Sequence, residues 1–213
     1  MNNQGSVDNP FFARFWKFMS QHEPESVRAW RGEVLAGLSG RVLEVGAGTG
    51  TNFALYPGTV TEVVAVEPER RLTDVARQAA LSAPVAITVI DSTIETLDAG
   101  EPFDAVVCSL VLCSVDDPEA VLQELFSLLR PGGELRYLEH VASAGARGRL
   151  QQLADATVWP RLFGNCHTHR DTERTIVDAG FRPQTARHDR EFPAWVPMPV
   201  SEVAIGRALK PTG

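Results

Sequence analysis

The chain contains no run of about 18 apolar residues, which excludes a helical membrane span. Its opening residues, MNNQGSVDNP, carry neither a basic segment nor an apolar stretch. No secretory leader is expected there, and residues 1–9 read as a frayed terminus. Basic residues are outnumbered, 20 Lys and Arg against 27 Asp and Glu, for a net charge of −7. A nucleic-acid partner wants a basic face, so none is expected. Cysteine is scarce: Cys108, Cys113 and Cys166 leave one odd and form no metal spacing. That usage suits a reducing compartment and predicts a cytoplasmic protein. Internal repeats, heptads and low-complexity segments are absent as well. What remains is an ordinary globular composition, 213 residues with 44% hydrophobic and 22% charged, long enough to bury one full α/β core.

The apolar runs that do occur are short, and one of them breaks into glycine. Residues 41–50 read RVLEVGAGTG. Val42, Leu43 and Val45 are the aliphatic run of a buried parallel strand, and Gly46, Gly48 and Gly50 follow at alternate positions, with Ala47 between the first two. Glycine takes positive φ and has no Cβ, so the backbone can turn sharply and lie against a ligand. Residues 51–56, Asn52 among them, are expected to start a helix whose unpaired N–H groups face the same ligand. Position 51 is Thr where the fingerprint G-x-G-x-x-G has its third glycine, and Glu44 stands two residues before the first. That carboxylate repels a phosphate and attracts an ammonium or sulfonium. A second buried run, VVAVE at 63–67, ends in Glu67, 17 residues past Gly50. A doubly wound sheet places its ribose-binding acid there. A glycine loop and a ribose acid without a phosphate cradle fit S-adenosylmethionine (SAM) better than NAD, with a NAD oxidoreductase as the outside alternative.

VLEVGAGTG (42–50), VVAVEP (63–68) and LLRPGG (128–133) stand in the order of the markers of class I SAM-dependent methyltransferases, which the chain resembles over nearly its whole length. VVCSLVLCSV (106–115), LLRPGGELRYLEHV (128–141) and WPRLFGNCHTHRDT (159–172) are similar to the methyltransferase-like family that includes the alkyl-thiol S-methyltransferases. The resemblance implies an α/β fold: a seven-stranded Rossmann-like class I methyltransferase sheet, mostly parallel with a C-terminal antiparallel hairpin, and helices on both faces. It divides one structural domain into an N-terminal helical lid, 1–40, and a SAM-binding part, 41–213. Some eukaryotic members carry an N-terminal hydrophobic anchor with no counterpart here, so a soluble protein is expected.

Taken in order, Phe11, Phe12, Phe15, Trp16 and Met19 recur at helical spacing, on a helix that packs on the sheet, covers the substrate, or both. Pro68 can lay its ring on an adenine. Asp91, at the tip of a third strand (85–91), can accept from the adenine amino group, with Ser92 and Ile94 lining the same pocket; the alternative for Asp91 is a surface acid. A fourth strand, 103–111, runs out at Ser109 and Leu110 beside the methionine end of the cofactor. Cys113 then faces substrate or serves as a small buried hydrophobe. Asp116 or Asp117 caps a helix at 118–129, and a fifth strand, 134–141, delivers Glu139 and His140 to the carboxyl edge. Residues 145–163 read as a helical and irregular insertion ending in Trp159, Pro160 and Phe163. Asp171 begins a helix, and strands at 185–189 and 202–209 form the hairpin, whose proline-rich loop walls the site with Trp195.

Methyl transfer from a sulfonium needs a positioned, deprotonated nucleophile and no metal. A thiol, with a reference pKa of about 8.5, needs only mild help; an alcohol needs much more. Histidine is the natural base near neutral pH. His140 is the first candidate, and His167 and His169 are the second. His167 and His169 beside Cys166 lack the carboxylate support of a metal site, so no metal is expected. Phe15, Cys113, Trp159, Cys166 and Trp195 are the expected acceptor contacts. Cys166 and Arg170 match the pattern G-C-x-x-x-R of the family, with Asn165 in place of its glycine; Arg170 either serves that motif or pairs with Asp171. The resulting expectation is S-methylation of a small thiol by a monomer or homodimer, with S-adenosylhomocysteine as product. The alternatives are O- or N-methylation in secondary metabolism, or SAM binding without methyl transfer.

Overall fold

The computed structural model describes residues 9–98, 100–193 and 195–212. Of the N-terminal stretch expected to fray, 1–9, residues 1–8 lie outside them, and Asn9 is held as the cap of the first helix. Seven strands form one sheet in the order β3-β2-β1-β4-β5-β7-β6. The strands are β1 (Gly40–Val45), β2 (Val60–Val66), β3 (Ile87–Ile90), β4 (Phe103–Ser109), β5 (Leu129–His140), β6 (Arg182–Arg190) and β7 (Glu202–Leu209). The first five pair in parallel, and β7 runs antiparallel to both β5 and β6. This is the sheet that the resemblance implied.

Parallel strands in such a sheet are covered on both sides, and the period of two sorts each strand between two cores. Leu43, Val64, Val66, Val106 and Cys108 point to one face, where they meet Val121, Leu122 and Leu125 of α4 (Pro118–Leu128) and Ile176 of α7 (Thr172–Asp178). Val42, Val63, Ala65, Ala105 and Val107 point to the other, against Val27, Trp30, Val34 and Leu35 of α2 (Glu25–Leu35) and Ala76 of α3 (Arg70–Ala80). Helix starts follow local chemistry. Asp117 accepts the Ala120 N–H at 2.9 Å with Pro118 in the first turn, and Asp171 accepts the Arg174 N–H at 3.1 Å.

The expected helix at 51–56 is a correction: only a single 3₁₀ turn, Phe53–Leu55, forms. Pro57 and Gly58 stop it, and Val60 already begins β2, so no length remains for an α-helix. The insertion resolves into α5 (Gly145–Asp155) and the short α6 (Trp159–Leu162). The N-terminal helix α1 (Pro10–Gln21) is capped by Asn9, whose side chain accepts from the Phe12 N–H. Register aligns Val45 with Val66 and Cys108, and Ser109 with Leu138. The residues just beyond (Gly46, Glu67, Leu110, Glu139 and His140) therefore gather at one edge of the sheet, where open α/β folds hold ligands.

Candidate active site

The glycine loop has the backbone that its sequence demands. Gly46, Gly48 and Gly50 have φ of +62°, +58° and +79°. A Cβ on Gly48 would sit 2.7 Å from Nε1 of Trp16, so α1 lies directly over the loop. Glu67 is buried and ties the two motifs together, accepting from the Gly48 N–H at 2.7 Å and the Glu69 N–H at 3.0 Å. Burial raises its pKa, and these two N–H groups oppose the shift. Glu69 reaches the other way, accepting the Asn9 N–H at 2.7 Å at the root of α1.

Glu44 shares the face of Val42, so its side chain enters the core beneath the loop. Tyr56 Oη donates to one oxygen at 2.6 Å and Asn52 Nδ2 to the other at 3.0 Å. Asn52 also donates to Ser109 Oγ at 3.2 Å and accepts from Arg31 at 3.1 Å, and Arg31 in turn pairs with Glu23 at 2.7 Å. Burial pushes the Glu44 carboxyl up to about 7, against the pull of Tyr56, Arg31 and Asn52.

The neighbouring part of this edge is built on β4 and β5. Leu110 takes φ +60°, a costly conformation for a non-glycine residue, which turns the chain abruptly after β4. The turn is held by Glu139, fully buried, whose carboxylate accepts from the N–H groups of Val111 (2.9 Å), Leu112 (3.0 Å) and Cys113 (3.3 Å). Arg170 donates to the Leu112 carbonyl at 2.6 Å, and the His167 N–H to the Cys113 carbonyl at 2.7 Å. Asn165 has φ +64°, and its amide donates to the Ser114 carbonyl (2.8 Å) and to Asp116 (2.9 Å). Asparagine tolerates the left-handed conformation, so it fills the glycine position of the motif and adds two hydrogen bonds. These contacts bring Cys113, His140 and Cys166 together: the two sulfurs lie 3.7 Å apart, and each lies 3.7 Å from His140 Nδ1. The Cys113 thiol is pushed well above its usual range, first by its hydrogen bond with Cys166 and then by burial. Burial disfavours the His140 imidazolium, but Cys113, Glu139 and Glu191 outweigh it and raise the pKa.

A family model described as "Methyltransferase domain" matches residues 15–183. The mouse (Mus musculus) thiol S-methyltransferase TMT1B is 38% identical over 184 residues, covering 83% of this chain and 74% of that protein. The human (Homo sapiens) thiol S-methyltransferase TMT1A is 32% identical over 169 residues, covering 75% and 68%. The chain belongs to the class I SAM-dependent methyltransferases. The N-methyltransferase NodS of Bradyrhizobium japonicum, solved with S-adenosyl-L-homocysteine, shares the fold at a TM-score of 0.64 and 16% identity, covering 96% of this chain and 89% of that one.

The methyltransferase's cradle fits its cofactor on two observations. Gly48 leaves room for no Cβ, which would meet the Trp16 indole, and Thr49 Oγ1, inside the loop, is buried without a hydrogen-bond partner among the described residues. Ser92 and Asp91 lie at the end of β3. The Ser92 hydroxyl bonds to Thr93 O and Thr96 Oγ1, and Asp91 lies 3.4 Å from Arg70. Ile94 is a correction: its side chain packs in the core with Val66 and Leu122, so only its backbone can border a ligand. Trp195 is a second correction. The loop after β6 docks on α5 through Arg147 and Gln151, which leaves Trp195 83% exposed and walling nothing. Phe15 meets Phe163 edge-on at 5.3 Å, and Trp159 stacks on Phe163 at 4.1 Å, giving an aromatic wall under α1. The loop histidines do not join His140. His169 Nε2 lies near Gly148 of α5, and the only metal-capable group among the described residues is Cys113, His140 and Cys166. Arg170 serves the turn at Leu112, and the capping of α7 falls to Asp171 alone. Sequence reasoning missed Trp16 as the group over Gly48 and Glu139 as the anchor of the turn. Neither residue type announces its contact by spacing.

Proposed function

We propose that this methyltransferase transfers the methyl group of SAM to the sulfur of a small thiol. The observation that carries the reading is the 38% identity to a thiol S-methyltransferase across 83% of the chain. SAM supplies an electrophilic methyl on a positively charged sulfur. The assigned cofactor contacts are Glu44 through Asn52, the loop of Gly46, Ala47, Gly48 and Gly50, then Glu67, Pro68, Asp91, Ser92, Ser109 and Leu110. Glu67 accepts from the ribose hydroxyls, and of the expected lid, 1–40, α1 serves as the cover while α2 packs on the sheet as core. Phe15, Trp159, Cys113 and Cys166 give the acceptor an apolar and aromatic surround, which suits an uncharged alkyl thiol. His140, with Nδ1 held against the two cysteines, takes the thiol proton; His167 and His169 are the weaker candidates for that role.

The protein is assigned to the cytoplasm, where its three free thiols stay reduced, as a monomer or homodimer without nucleic acid. Among the described residues no helix is long and apolar enough to cross a membrane. The test is incubation of the purified protein with SAM and a panel of thiols, phenols and amines, with S-adenosylhomocysteine release as readout. Release with thiols alone is expected. Release only with phenols or amines moves the acceptor to oxygen or nitrogen, and release with none leaves a SAM-binding protein.

A further inference from the structure

We infer that Cys113, His140 and Cys166 form a binding site for a borderline-soft divalent metal, zinc in kind, with a fourth position open to the acceptor sulfur. The three ligand atoms come from distant parts of the chain and converge within 4.8 Å of one another. For zinc, with Zn–S of about 2.3 Å and Zn–N of about 2.0–2.1 Å, a tetrahedron has S···S edges of about 3.8 Å and S···N edges of about 3.6 Å. The observed edges are 3.7 Å for the sulfur pair and 3.7 Å for each sulfur–nitrogen pair. Three thiol and imidazole ligands already stand at the corners of a metal tetrahedron. Sulfur and imidazole together select zinc-like ions over magnesium or calcium.

The frame around the site is rigid and already satisfied. Glu139 holds the N–H groups of Cys113 and of the two residues before it, and the His167 N–H and Arg170 fasten the loop of Cys166 onto the same turn. No carboxylate completes the set among the described residues, so three protein ligands leave one position for an outside donor, the arrangement of catalytic zinc sites. On metal binding each cysteine thiol gives its proton to solvent. A thiol entering the fourth position does the same and stays as a metal-bound thiolate. Its sulfur then forms the new bond to the methyl carbon while the bond from that carbon to the sulfonium breaks, its electron pair staying on the departing S-adenosylhomocysteine sulfur. The product thioether is neutral and a poorer ligand, so it leaves. In this state His140 is a ligand, and the thiol proton is lost through coordination instead of to an imidazole.

The acceptor step rests on the thiol reading above, so metal and acceptor are tested separately. The untagged protein, purified from zinc-supplemented cells without chelator, is assayed by elemental analysis. The metal-free, reduced protein is then titrated with Co²⁺ in the absence of SAM and thiol. One zinc per chain is expected, together with a thiolate-to-cobalt charge-transfer band and the visible bands of a tetrahedral ion. Cys113→Ser and Cys166→Ser should each lose one of the two cobalt–sulfur bonds and with it about half or more of the charge-transfer intensity, whereas Cys108→Ala, at a buried cysteine outside the triangle, should keep it. Wild-type protein without the cobalt bands, or with bands unchanged in both serine variants, overturns the site. Recovery of the wild type with Cys113 and Cys166 joined as a disulfide that reduction does not turn into a cobalt-binding form overturns it too. A simple alkyl thiol added to the cobalt form should intensify the charge-transfer band; bands that it leaves unchanged overturn the open position. If the thiol does change the band but no S-adenosylhomocysteine forms from thiols, the metal site stands and the thiol methyltransferase reading falls.

Discussion

Glu44 shows how one buried carboxyl makes stability depend on pH. Its carboxyl titrates near 7 in the folded chain, against an ordinary value of 4.5, because burial disfavours the charge. Between those values the folded state holds a proton that the unfolded state has released. This contribution is therefore complete below about pH 4.5 and is lost as pH rises through about 7, a span of about 3 kcal/mol. Glu67 shifts in the same direction and adds to the slope. Glu44→Gln cannot titrate, so denaturant unfolding at pH 5 and pH 8 should differ less in the variant than in the wild type, by about 2–3 kcal/mol. An unchanged difference would contradict the assignment. At this scale the sequence was legible where one residue type carries the physics. Three alternating glycines all take positive φ, and Asp117 and Asp171 cap the helices they precede. It was illegible where chemistry arises from meeting. Cys113, His140 and Cys166 show no ligand spacing because the turn after Leu110 and the fold of the 164–170 loop create their triangle.

Among the elements, α1 is the one that lies directly over the glycine loop. It is pinned at its start by the Asn9–Glu69 hydrogen bond, in its middle by Trp16 over Gly48, and along its length by Phe15 on Phe163. Phe12 lies against Gly164, where even a Cβ would meet its ring at 2.5 Å. A ligand lying along the glycine backbone must displace or restack the Trp16 indole. SAM should therefore change the intrinsic fluorescence, and Trp16→Phe should lose most of that change while still binding SAM by calorimetry. A full-sized signal in the variant would place the lid elsewhere. The spacing of Phe11, Phe12, Phe15, Trp16 and Met19 revealed this helix but left its resting place open, because an amphipathic pattern names a buried side without naming what buries it. The same limit explains the missing helix after the glycine loop. Its propensity was acceptable, but the distance from Gly50 to Val60 was already spent on a 3₁₀ turn and a Pro-Gly bend.

For the whole molecule, the strand order is what brings loops from far along the chain to one edge, and this much followed from motif order and family resemblance together. Residue-level periodicity alone gave the strands without their neighbours. The two cores share the strands between them, since Leu43 and Val42, or Val106 and Val107, are adjacent residues serving opposite faces. One face cannot lose its packing without disturbing the other, and α1 joins the glycine loop to Phe163 and Gly164. Cofactor binding should then stabilise the chain as a single cooperative unit. At a free SAM concentration of about 100 times its dissociation constant, mass action adds about 2.7 kcal/mol to the folded state. For a domain of this size each kcal/mol raises the melting temperature by about 2–4 °C, so one transition should move up by about 5–11 °C. Differential scanning calorimetry reads this directly. Two transitions of which only one responds to SAM would separate the lid or the hairpin from the cofactor core and contradict the single-domain reading.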